Sequence, residues 1–434
     1  MSSFTPAAKP ADLPQQGESP LCQYFLNSLE RFMRPPAGVL RHPFLTPGGS
    51  YLDQLWDWDS YWVSTGLFEL ARRTNDRELF QRVLEHSRGS LANFFENQAS
   101  NGTVPILVVP NAGDFFRCSD ENALEFNQAK PVFAQFALKI SDECGDASWF
   151  APYFDGLMRF EERWLQKYGT ACGLLVWGSD VAIGVDNDPT TYGRPFFSSA
   201  NLLLNCFYYA DLCAAIEMAR RLGREREVSC LAAWADRVGR AISSRCWDSR
   251  DRFFYTVDVQ CKDQRDLLIP EEVPRGMEIS WDVMPLKIQM FTGFLPMWCG
   301  LANPDQAIAL IGHYRNPASF FGTYGVRTLS GEEGMYAPHV ESANPSNWLG
   351  PVWIVANYLI WKGLLRYGYR EDATILANKT RALLERDLAK TGAIHECYHP
   401  DTGEPNENIH FMSWNLLALE MMGGPTPILR TGGL

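Results

Sequence analysis

Two carboxylic acids in the sequence lie in segments that suit acid–base chemistry. Asp186 belongs to the loop GVDNDP, and Glu396 belongs to the segment HECYHPDTG. An apolar and aromatic environment can keep one carboxyl group protonated, so that it donates a proton, while an ionised carboxylate can take a proton from water. Each acid has a rival nearby, Asp188 for the first and Glu407 for the second. The pair is a candidate general acid and general base.

A third segment, YLDQLWDWDSYW at 51–62, interleaves three Trp with three Asp. An Asp near a helix N-terminus caps the helix and suits its dipole, but capping does not explain the aromatic residues. A sugar subsite explains both, because carboxylates accept hydrogen bonds from hydroxyl groups while flat rings pack on the sugar. We expect four residues of this segment to bind substrate: Tyr51, Trp56, Trp58 and Asp59.

Further aromatic and polar residues are candidates for the same pocket. In NPSNWLGPVW, Trp348 and Trp353 either belong to the core of a Pro-started helix or lie on the pocket wall. Trp414, in the MSW sequence that follows HECYHPDTG, is a third candidate for the wall. Gln128 and Tyr192 could supply neutral hydrogen bonds to a substrate.

Metal and cofactor motifs have little support in this sequence. His395, His399 and His410 are close together, but their spacing is irregular and matches no zinc or facial-triad pattern. The chain contains no GxSxG elbow, no P-loop and no Rossmann glycine run after a strand. We therefore predict no metal, no nucleotide cofactor and no nucleophilic serine.

Composition narrows the possible partners. The formal net charge of −12 disfavours nucleic acid, because phosphate binding needs a basic surface. We see no run of 18 or more apolar residues and no secretory signal at the N-terminus, so we expect no membrane partner. The 11 Cys follow no disulfide or metal spacing, which is typical of reduced thiols in a cytoplasmic protein. The oligomeric state stays open.

Helical periodicity dominates the chain and sets the elements that must position these residues. Arg252–Val259 instead has the pattern of a small hairpin, and 258–280 and 316–346 are predicted to be long loops. The predicted helices lie at about 21–32, 58–73, 78–97, 130–141, 148–168, 196–222, 226–245, 304–314, 348–367, 371–389 and 413–422.

The helices fall into two kinds. The helix within 196–222 carries few charges and is apolar on all sides, as expected of a helix buried between layers. The helices at 226–245 and 371–389 carry more charge and suit an outer layer. Inner and outer helices that alternate along the chain predict an all-α fold, a closed double ring of about six helix pairs. We predict one such domain over 18–425, preceded by a flexible segment over 1–17.

Taken in order, four segments resemble motifs of the inverting enzymes of glycoside hydrolase family 63, and more distantly of the family 37 trehalases. WDWDSYW is similar to a WDSYF-type sugar-binding motif, and SNWLGPVW is similar to YWRGPVW. GVDNDP resembles the loop that carries the family's general acid, and HECYHPDTG followed by MSW resembles the block that carries its general base. The resemblance covers about 50–420. It implies that Asp186 is the acid and Glu396 the base.

The resemblance also implies a fold and an activity. The fold is an (α/α)6 barrel, in agreement with the double ring read from periodicity. The compact length resembles a bacterial branch of the family whose members hydrolyse mannosylglycerate and glucosylglycerate. The implied function is an inverting, exo-acting α-glycoside hydrolase on a small glycoside of this kind. Alternatives are an α-glucosidase or trehalase-like hydrolase of a neutral disaccharide, and a sugar epimerase or isomerase on a similar helical barrel.

Some residues depart from the family pattern and leave the substrate open. Leu349 replaces a common Arg, Asp188 replaces a common Ser or Thr, and Cys397 follows the base in place of Asn or Gln. A glycerate group would bring a carboxylate into an acidic protein, and Arg binds carboxylates with two parallel hydrogen bonds. We expect Arg194 or Arg327 to supply that cation.

Overall fold

The computed structural model describes residues 19–120, 127–261, 270, 272, 281–339, 346–406 and 408–423. The predicted flexible segment 1–17, the rival base Glu407 and the end of the predicted domain at 424–425 lie outside these residues. Among the described residues, helices account for most of the regular secondary structure, and the strands are only two or three residues long. The chain is therefore helix-rich, as the periodicity predicts.

The α-helices cover eleven predicted patterns or parts of them, with one short helix, α8, that the periodicity does not predict. They are α1 (Pro20–Leu26), α2 (Asp57–Thr74), α3 (Arg77–Glu96), α4 (Phe133–Cys144), α5 (Phe154–Tyr168), α6 (Leu202–Arg221), α7 (Glu225–Ala241), α8 (Leu295–Cys299), α9 (Pro304–Arg315), α10 (Ile354–Arg366), α11 (Arg370–Thr391) and α12 (Ala418–Met422). Short 3-10 helices cover Leu29–Arg31, Gly49–Tyr51, Ser148–Tyr153, Phe291–Phe294 and Ser413–Leu417, and a π-helical turn covers Ile242–Cys246.

Short antiparallel strands lie within the segments between these helices and pair with one another. The strands are β1 (Met33–Arg34), β2 (Phe44–Leu45), β3 (Leu55–Trp56), β4 (Leu107–Val109), β5 (Gly113–Asp114), β6 (Ser199–Ala200), β7 (Trp247–Asp248), β8 (Phe253–Phe254), β9 (Val257–Asp258), β10 (Met284–Pro285), β11 (Cys397–Tyr398) and β12 (Pro405–Asn406). They pair as β1–β2, β3–β4–β5, β6–β9–β10, β7–β8 and β11–β12. The predicted hairpin Arg252–Val259 contains β8 and β9, but β8 pairs with β7 just before this range, and β9 pairs with β6 and β10.

Contacts between helices run in a closed series. Helix α2 packs on α4, α4 on α6, α6 on α8, and α8 on α10. Helix α10 then packs on the turn Ser413–Leu417, which packs back on α2. A second set lies against this series, with α3 on α2 and α4, α7 on α6, and α11 on α10. The N-terminus of α2 and the loops before α4, α6 and α10 face a common region.

Helix α6 shows how composition sets the layer of a helix. It is long and apolar enough to cross a membrane by length and composition, but 78% of it is buried inside the protein, as expected of a core helix. Helix α7 instead exposes most of its charged residues and buries one face, including Leu231, Ala235 and Val238. The apolar helix lies inside and the charged helix lies outside, as predicted.

The predicted helix at 348–367 begins later than its apolar pattern. Helix α10 starts at Ile354, because Val352 exchanges two backbone hydrogen bonds with Tyr398, at 2.7 and 3.0 Å, in an extended bridge. Pro351 also cannot donate a backbone hydrogen bond there. This bridge brings the segment before α10 beside the segment that contains Glu396.

Two buried carboxyl groups, Glu161 in α5 and Asp211 in α6, lie beside each other in the helical core. Burial raises the pKa of Asp211 to about 6, although backbone N–H groups of α4 at Ala134 and Gln135 hydrogen-bond its carboxylate. Burial and the neighbouring Asp211 also raise the pKa of Glu161. The folded protein therefore holds protons here that the unfolded chain would release.

This pair predicts a pH-dependent stability difference between the wild type and Glu161→Gln. The contribution of the pair to stability falls as pH rises from about 4, the ordinary carboxyl value, through the raised pKa of Asp211. Glu161→Gln removes one ionisable group and keeps the shape. We expect the melting temperature of the variant relative to the wild type to rise between pH 5 and pH 8. An offset that is the same at both pH values would contradict the assignment.

Candidate active site

A cavity of about 440 Å³ lies where the loops before α2, α4, α6 and α10 meet. Carboxylates, aromatic rings and one lysine share its wall. Its lining residues are Pro47, Tyr51, Trp56, Trp58, Asp59, Phe116, Lys130, Asp180, Val181, Ala182, Gly184, Asp186, Tyr192, Ser346, Glu396, Phe411 and Trp414. Eight of these are predicted site residues, drawn from segments more than 340 positions apart.

The N-terminus of α2 supplies the floor of the cavity. Trp56 precedes the helix, and Trp58 and Asp59 lie in its first turn. Ser413 donates a hydrogen bond of 2.6 Å to the Asp59 carboxylate. Burial raises the pKa of Asp59 to about 7, and the Ser413 hydrogen bond opposes this rise. A buried carboxylate in this position can accept hydrogen bonds from substrate hydroxyl groups.

Asp186 lies in the loop Ser179–Thr190, here called the acid loop, and faces the cavity. Burial raises the pKa of its carboxyl group, and a hydrogen bond from Ser346 opposes the rise. A raised pKa favours the protonated form, which is the form a general acid needs.

Asp188, the rival of Asp186, has different surroundings. It is fully buried and accepts hydrogen bonds from the backbone and hydroxyl groups of Thr190, at 2.8 and 2.7 Å, and from Asn201 at 2.8 Å. It is not among the residues that line the cavity. These contacts close the turn at the end of the acid loop, which is an ordinary structural use of Asp.

Asparagine side chains hold the acid loop on both sides of Asp186. Asn127 donates to the carbonyl groups of Ser179 and Val181, at 3.0 and 2.7 Å. Asn187 accepts a hydrogen bond of 2.7 Å from the backbone of Trp348. Each contact fixes backbone that belongs to no helix or strand. The loop is thereby attached to the segments before α4 and α10.

Glu396 comes from the C-terminal part of the chain. It is buried and lies directly before β11. The Asn408 amide donates to Oε2 of Glu396, and the same nitrogen lies 3.3 Å from the Tyr51 hydroxyl. The Trp414 indole donates to the main-chain carbonyl of Glu396 at 3.0 Å. Burial and the neighbouring Glu396 and Asp59 raise the pKa of Tyr51, so its hydroxyl stays protonated.

Aromatic rings form the rest of the wall in contact with one another. Trp58 packs edge-on against Trp414, with ring centroids 6.0 Å apart, and Phe411 lies 4.5 Å from Trp414. Trp56 packs edge-on against Phe116 at 5.8 Å. Such mutual packing fixes each ring plane before any ligand binds.

Trp348 and Trp353 form a second layer behind the wall. Their rings stack at 3.9 Å, both are fully buried, and neither lines the cavity. Trp353 packs on Trp414 at 5.2 Å, and the Trp348 indole donates to the Ser346 hydroxyl at 3.1 Å. Of the two predicted placements, core or pocket wall, both residues are in the core, where they pack behind residues of the wall.

Besides Trp348 and Trp353, three predicted substrate-binding residues lie outside the cavity lining. Arg194 forms an ion pair with Asp258, and Arg327 pairs with Asp401 at 2.7 Å and donates to the carbonyl of Pro317 at 2.8 Å. Both guanidinium groups thus have partners within the chain. Gln128 is buried, and its amide forms no hydrogen bond with a residue that the structure describes. The structure does not bring these three to the wall.

Sequence reasoning missed Lys130, a buried cation at the cavity. Its ammonium lies 3.0 Å from the Asp57 carboxylate and 5.1 Å from the ring centroid of Trp58. A lone lysine in the otherwise uncharged stretch NQAKPVFAQFAL is the signal that could have revealed it. Phe116, Phe411 and Ser346 were missed as well, because they lie in segments without a local pattern. No cluster of three or more metal-ligating side chains occurs among the described residues.

The fold and this cavity define a helix-rich protein with paired carboxylates in an aromatic-walled pocket. A family model for the mannosylglycerate hydrolase MGH1-like glycoside hydrolase domain matches residues 52–414. The chain therefore belongs to this family of glycoside hydrolase domains.

Individual relatives match over shorter stretches. Mannosylglycerate hydrolase MGH1 of Selaginella moellendorffii is 34% identical over 117 residues, which are 26% of this chain and 20% of that protein. Mannosylglycerate hydrolase of Thermus thermophilus is 28% identical over 149 residues, 32% of this chain and 31% of that protein. The matched stretches thus span less than a third of these relatives.

Solved structures show the same fold over most of the chain. A family 63 mannosylglycerate hydrolase of Thermus thermophilus, in complex with glucose, matches with a TM-score of 0.69 at 18% identity and covers 93% of this chain and 100% of that one. Neutral trehalase Nth1 of Saccharomyces cerevisiae matches with a TM-score of 0.58 at 16% identity, over 88% of this chain and 73% of that one.

A close approach in the acid loop gives a prediction about stability. Gly184 has φ of 87°, and a Cβ there would lie 2.6 Å from the Trp58 ring. Gly193 has a similar φ of 68° with nothing within 4 Å of its Cβ position. We expect Gly193→Ala to cost roughly 1–3 kcal/mol from backbone strain. Gly184→Ala should cost about 1–3 kcal/mol more from overpacking and should change the tryptophan fluorescence. Equal unfolding free energies, measured in urea, would contradict this packing.

Proposed function

We propose that this protein is an exo-acting glycoside hydrolase that cleaves a small α-linked glycoside with inversion. One observation carries the proposal, namely that Asp186 and Glu396 line a single aromatic-walled cavity. Membership of a glycoside hydrolase family supports it. The closed series of helix contacts supports an (α/α)6 barrel as the complete fold. The 11 free cysteines support a cytoplasmic location.

In the proposed mechanism, Asp186 is the general acid. Its raised pKa keeps the carboxyl group protonated until it donates to the glycosidic oxygen. The hydrogen bond from Ser346 restrains the same carboxyl group. As the bond between the anomeric carbon and this oxygen breaks, the oxygen leaves as a hydroxyl group of the aglycone, and Asp186 is left ionised.

Glu396 is the proposed general base. It deprotonates a water molecule that attacks the anomeric carbon from the face opposite the leaving group, so that the product sugar has the inverted configuration. The Asn408 amide donates to the carboxylate of Glu396 and thereby favours the ionised form that a base needs. Two carboxyl groups with different neighbours can thus hold opposite protonation states in one pocket.

The sugar ring is proposed to lie on the floor of the cavity. Trp58 and Trp414 offer apolar ring faces, and Asp59 and Tyr51 offer polar groups to the hydroxyls. Trp56 lies beside Tyr51, with ring centroids 6.1 Å apart, and Tyr192 is exposed at the rim. A cavity of about 440 Å³ has room for a sugar and a small aglycone, which favours exo-acting cleavage of a short substrate.

Glycerate is the favoured aglycone, as in mannosylglycerate or glucosylglycerate, because the family model and relatives carry that name. A neutral disaccharide is the second candidate, and the charges of the cavity favour it. Asp59, Asp180, Asp186 and Glu396 line the described wall with a single lysine, which is already paired with Asp57. Neither Arg194 nor Arg327 is there to bind a glycerate carboxylate.

A substrate panel separates these candidates. The protein is incubated with mannosylglycerate, glucosylglycerate, trehalose and kojibiose, and the first-formed anomer is followed by proton NMR. We expect hydrolysis of a glycerate glycoside with β-sugar released first. Turnover of trehalose or kojibiose alone would favour the neutral substrate, and an epimerised sugar without hydrolysis would favour an isomerase. Release of α-sugar would contradict inversion.

Substitution of each carboxyl group tests the assigned roles. Asp186→Asn and Glu396→Gln keep shape and remove proton transfer, so each should lower kcat by ~10²–10⁴-fold or more. Asp59→Asn is the matched control for a carboxylate in the same cavity, and we expect it to raise KM more than it lowers kcat. Circular dichroism checks that each variant is folded. A folded Glu396→Gln variant with wild-type kcat would eliminate Glu396 as the base.

A further inference from the structure

The buried cation Lys130 joins two parts of the active site that come from distant segments. It lies three residues before α4, in the segment that also contains Asn127. Its ammonium pairs with Asp57, the first residue of α2, at 3.0 Å. The same ammonium donates to the main-chain carbonyl of Ala182 in the acid loop at 3.3 Å.

Asp57 gives this cation a fixed partner. Its Oδ1 accepts the backbone N–H of Trp58 at 2.7 Å, and its Oδ2 accepts the backbone N–H of Lys130 at 2.7 Å. The backbone N–H of Asp57 donates to Ile106 at 3.0 Å. Both side chains of the ion pair are almost fully buried. Lys130 therefore cannot turn away from the acid loop without leaving a buried charge unpaired.

The acid loop needs such an anchor at this point. Ala182 has φ of 55°, in the left-handed region that an L-residue with a side chain rarely adopts. Trp58 lies beneath the Lys130 ammonium and against Gly184, two residues before Asp186. The pair Asp57–Lys130 thus holds the loop and the Trp58 ring in one arrangement.

We propose that Lys130 is a positioning residue for the general acid, holding the acid loop through Ala182 so that Asp186 points at the glycosidic oxygen. This inference rests on the proposed function, and it adds a residue that works through Asp186 without touching the bond that breaks. The charge of Lys130 has a second effect on the same carboxyl group.

The charges around Lys130 determine the direction of that effect. Asp57 and Asp59 of α2 and Asp186 of the acid loop face it, and Asp180 and Glu396 complete the charged wall of the cavity. Burial raises the pKa of Asp186, and the Lys130 charge lowers it. Without this cation the pKa of Asp186 would rise, so the alkaline limb of the pH–rate profile would move to higher pH.

The leaving group distinguishes this role from a structural one. A sugar alkoxide or glycerate alkoxide must be protonated as it leaves, whereas fluoride leaves as the anion. For an α-glycosyl fluoride, the C–F bond breaks, water supplies the new oxygen, and its proton goes to Glu396. A defect in the general acid should therefore be small for the fluoride, and a defect in sugar binding or in the base should not.

The experiment compares wild type, Lys130→Met, Lys130→Arg and the double variant Asp57→Asn with Lys130→Met. Substrates are the best glycoside of the panel and the α-fluoride of the same sugar. We expect Lys130→Met to lose roughly 10–100-fold in kcat on the glycoside, part of the ~10²–10⁴-fold that a positioned acid contributes. On the fluoride we expect a loss below about 3-fold, within the part of catalysis that needs no acid. Lys130→Arg should recover part of the loss, since it keeps the cation.

The double variant guards against loss of folding. Lys130→Met alone leaves the Asp57 charge buried and unpaired, which can prevent folding. The double variant removes both charges, so we expect it to melt near the wild-type temperature and still to lose activity on the glycoside. A folded variant that loses equally on glycoside and fluoride, or whose alkaline limb does not move, would overturn the inference.

Failure of the proposed function would have a different signature. If the wild type cleaves neither glycosides nor the fluoride, the hydrolase proposal fails. The inference about Lys130 is then decided by carbon-13 NMR of labelled Asp carboxyl groups, with Asp186→Asn used to assign the signal. A higher midpoint for Asp186 in a folded Lys130→Met variant than in the wild type supports the positioning contact, and an unchanged midpoint overturns it.

Discussion

The carboxylate of Asp57 is buried at the first residue of α2, where a negative charge persists only if it is paired and hydrogen-bonded. Lys130 supplies both the countercharge and a backbone donor, and Trp58 supplies a second donor. Because this ion pair also reaches the carbonyl of Ala182, a local requirement for charge pairing fixes the relation between α2, α4 and the acid loop.

The aromatic wall is likewise held in place by buried contacts, here between rings. Trp58 and Trp414 touch the cavity, and the stacked pair Trp348 and Trp353 lies behind them. The second layer cannot move without breaking the Trp353 hydrogen bond to the carbonyl of Asn347 at 2.8 Å. Rigid side chains behind a site hold its wall in position, which matters because small displacements of catalytic groups cost much activity.

Asp186 and Glu396, the proposed acid and base, meet different neighbours. The Lys130 charge and a hydrogen bond from Ser346 both lower the pKa of Asp186. Burial outweighs them and raises it. Glu396 instead receives the Asn408 amide and lies beside Tyr51, whose raised pKa keeps it neutral. Two groups of the same chemical type thus meet different environments across one cavity, which is the arrangement that acid–base catalysis uses.

The sequence by itself determined what depends on neighbours along the chain. Periodicity located the helices, with α2 at Asp57–Thr74 against a predicted 58–73, and composition assigned α6 to the interior. The order of the four motifs along the chain indicated the family without any tertiary contact. These features are local, because hydrogen bonds of a helix and the burial of its faces repeat every three or four residues.

Tertiary structure decided what depends on residues far apart. It placed Asp186 at the cavity and Asp188 in a turn, although the two are separated by one residue. It paired Arg194 and Arg327 with carboxylates elsewhere and brought Lys130 to the wall. Whether a charged side chain reaches a cavity or a counterion depends on which segments the packing brings together. That outcome is set by long-range contacts, and a local pattern such as the uncharged stretch around Lys130 at most marks a candidate.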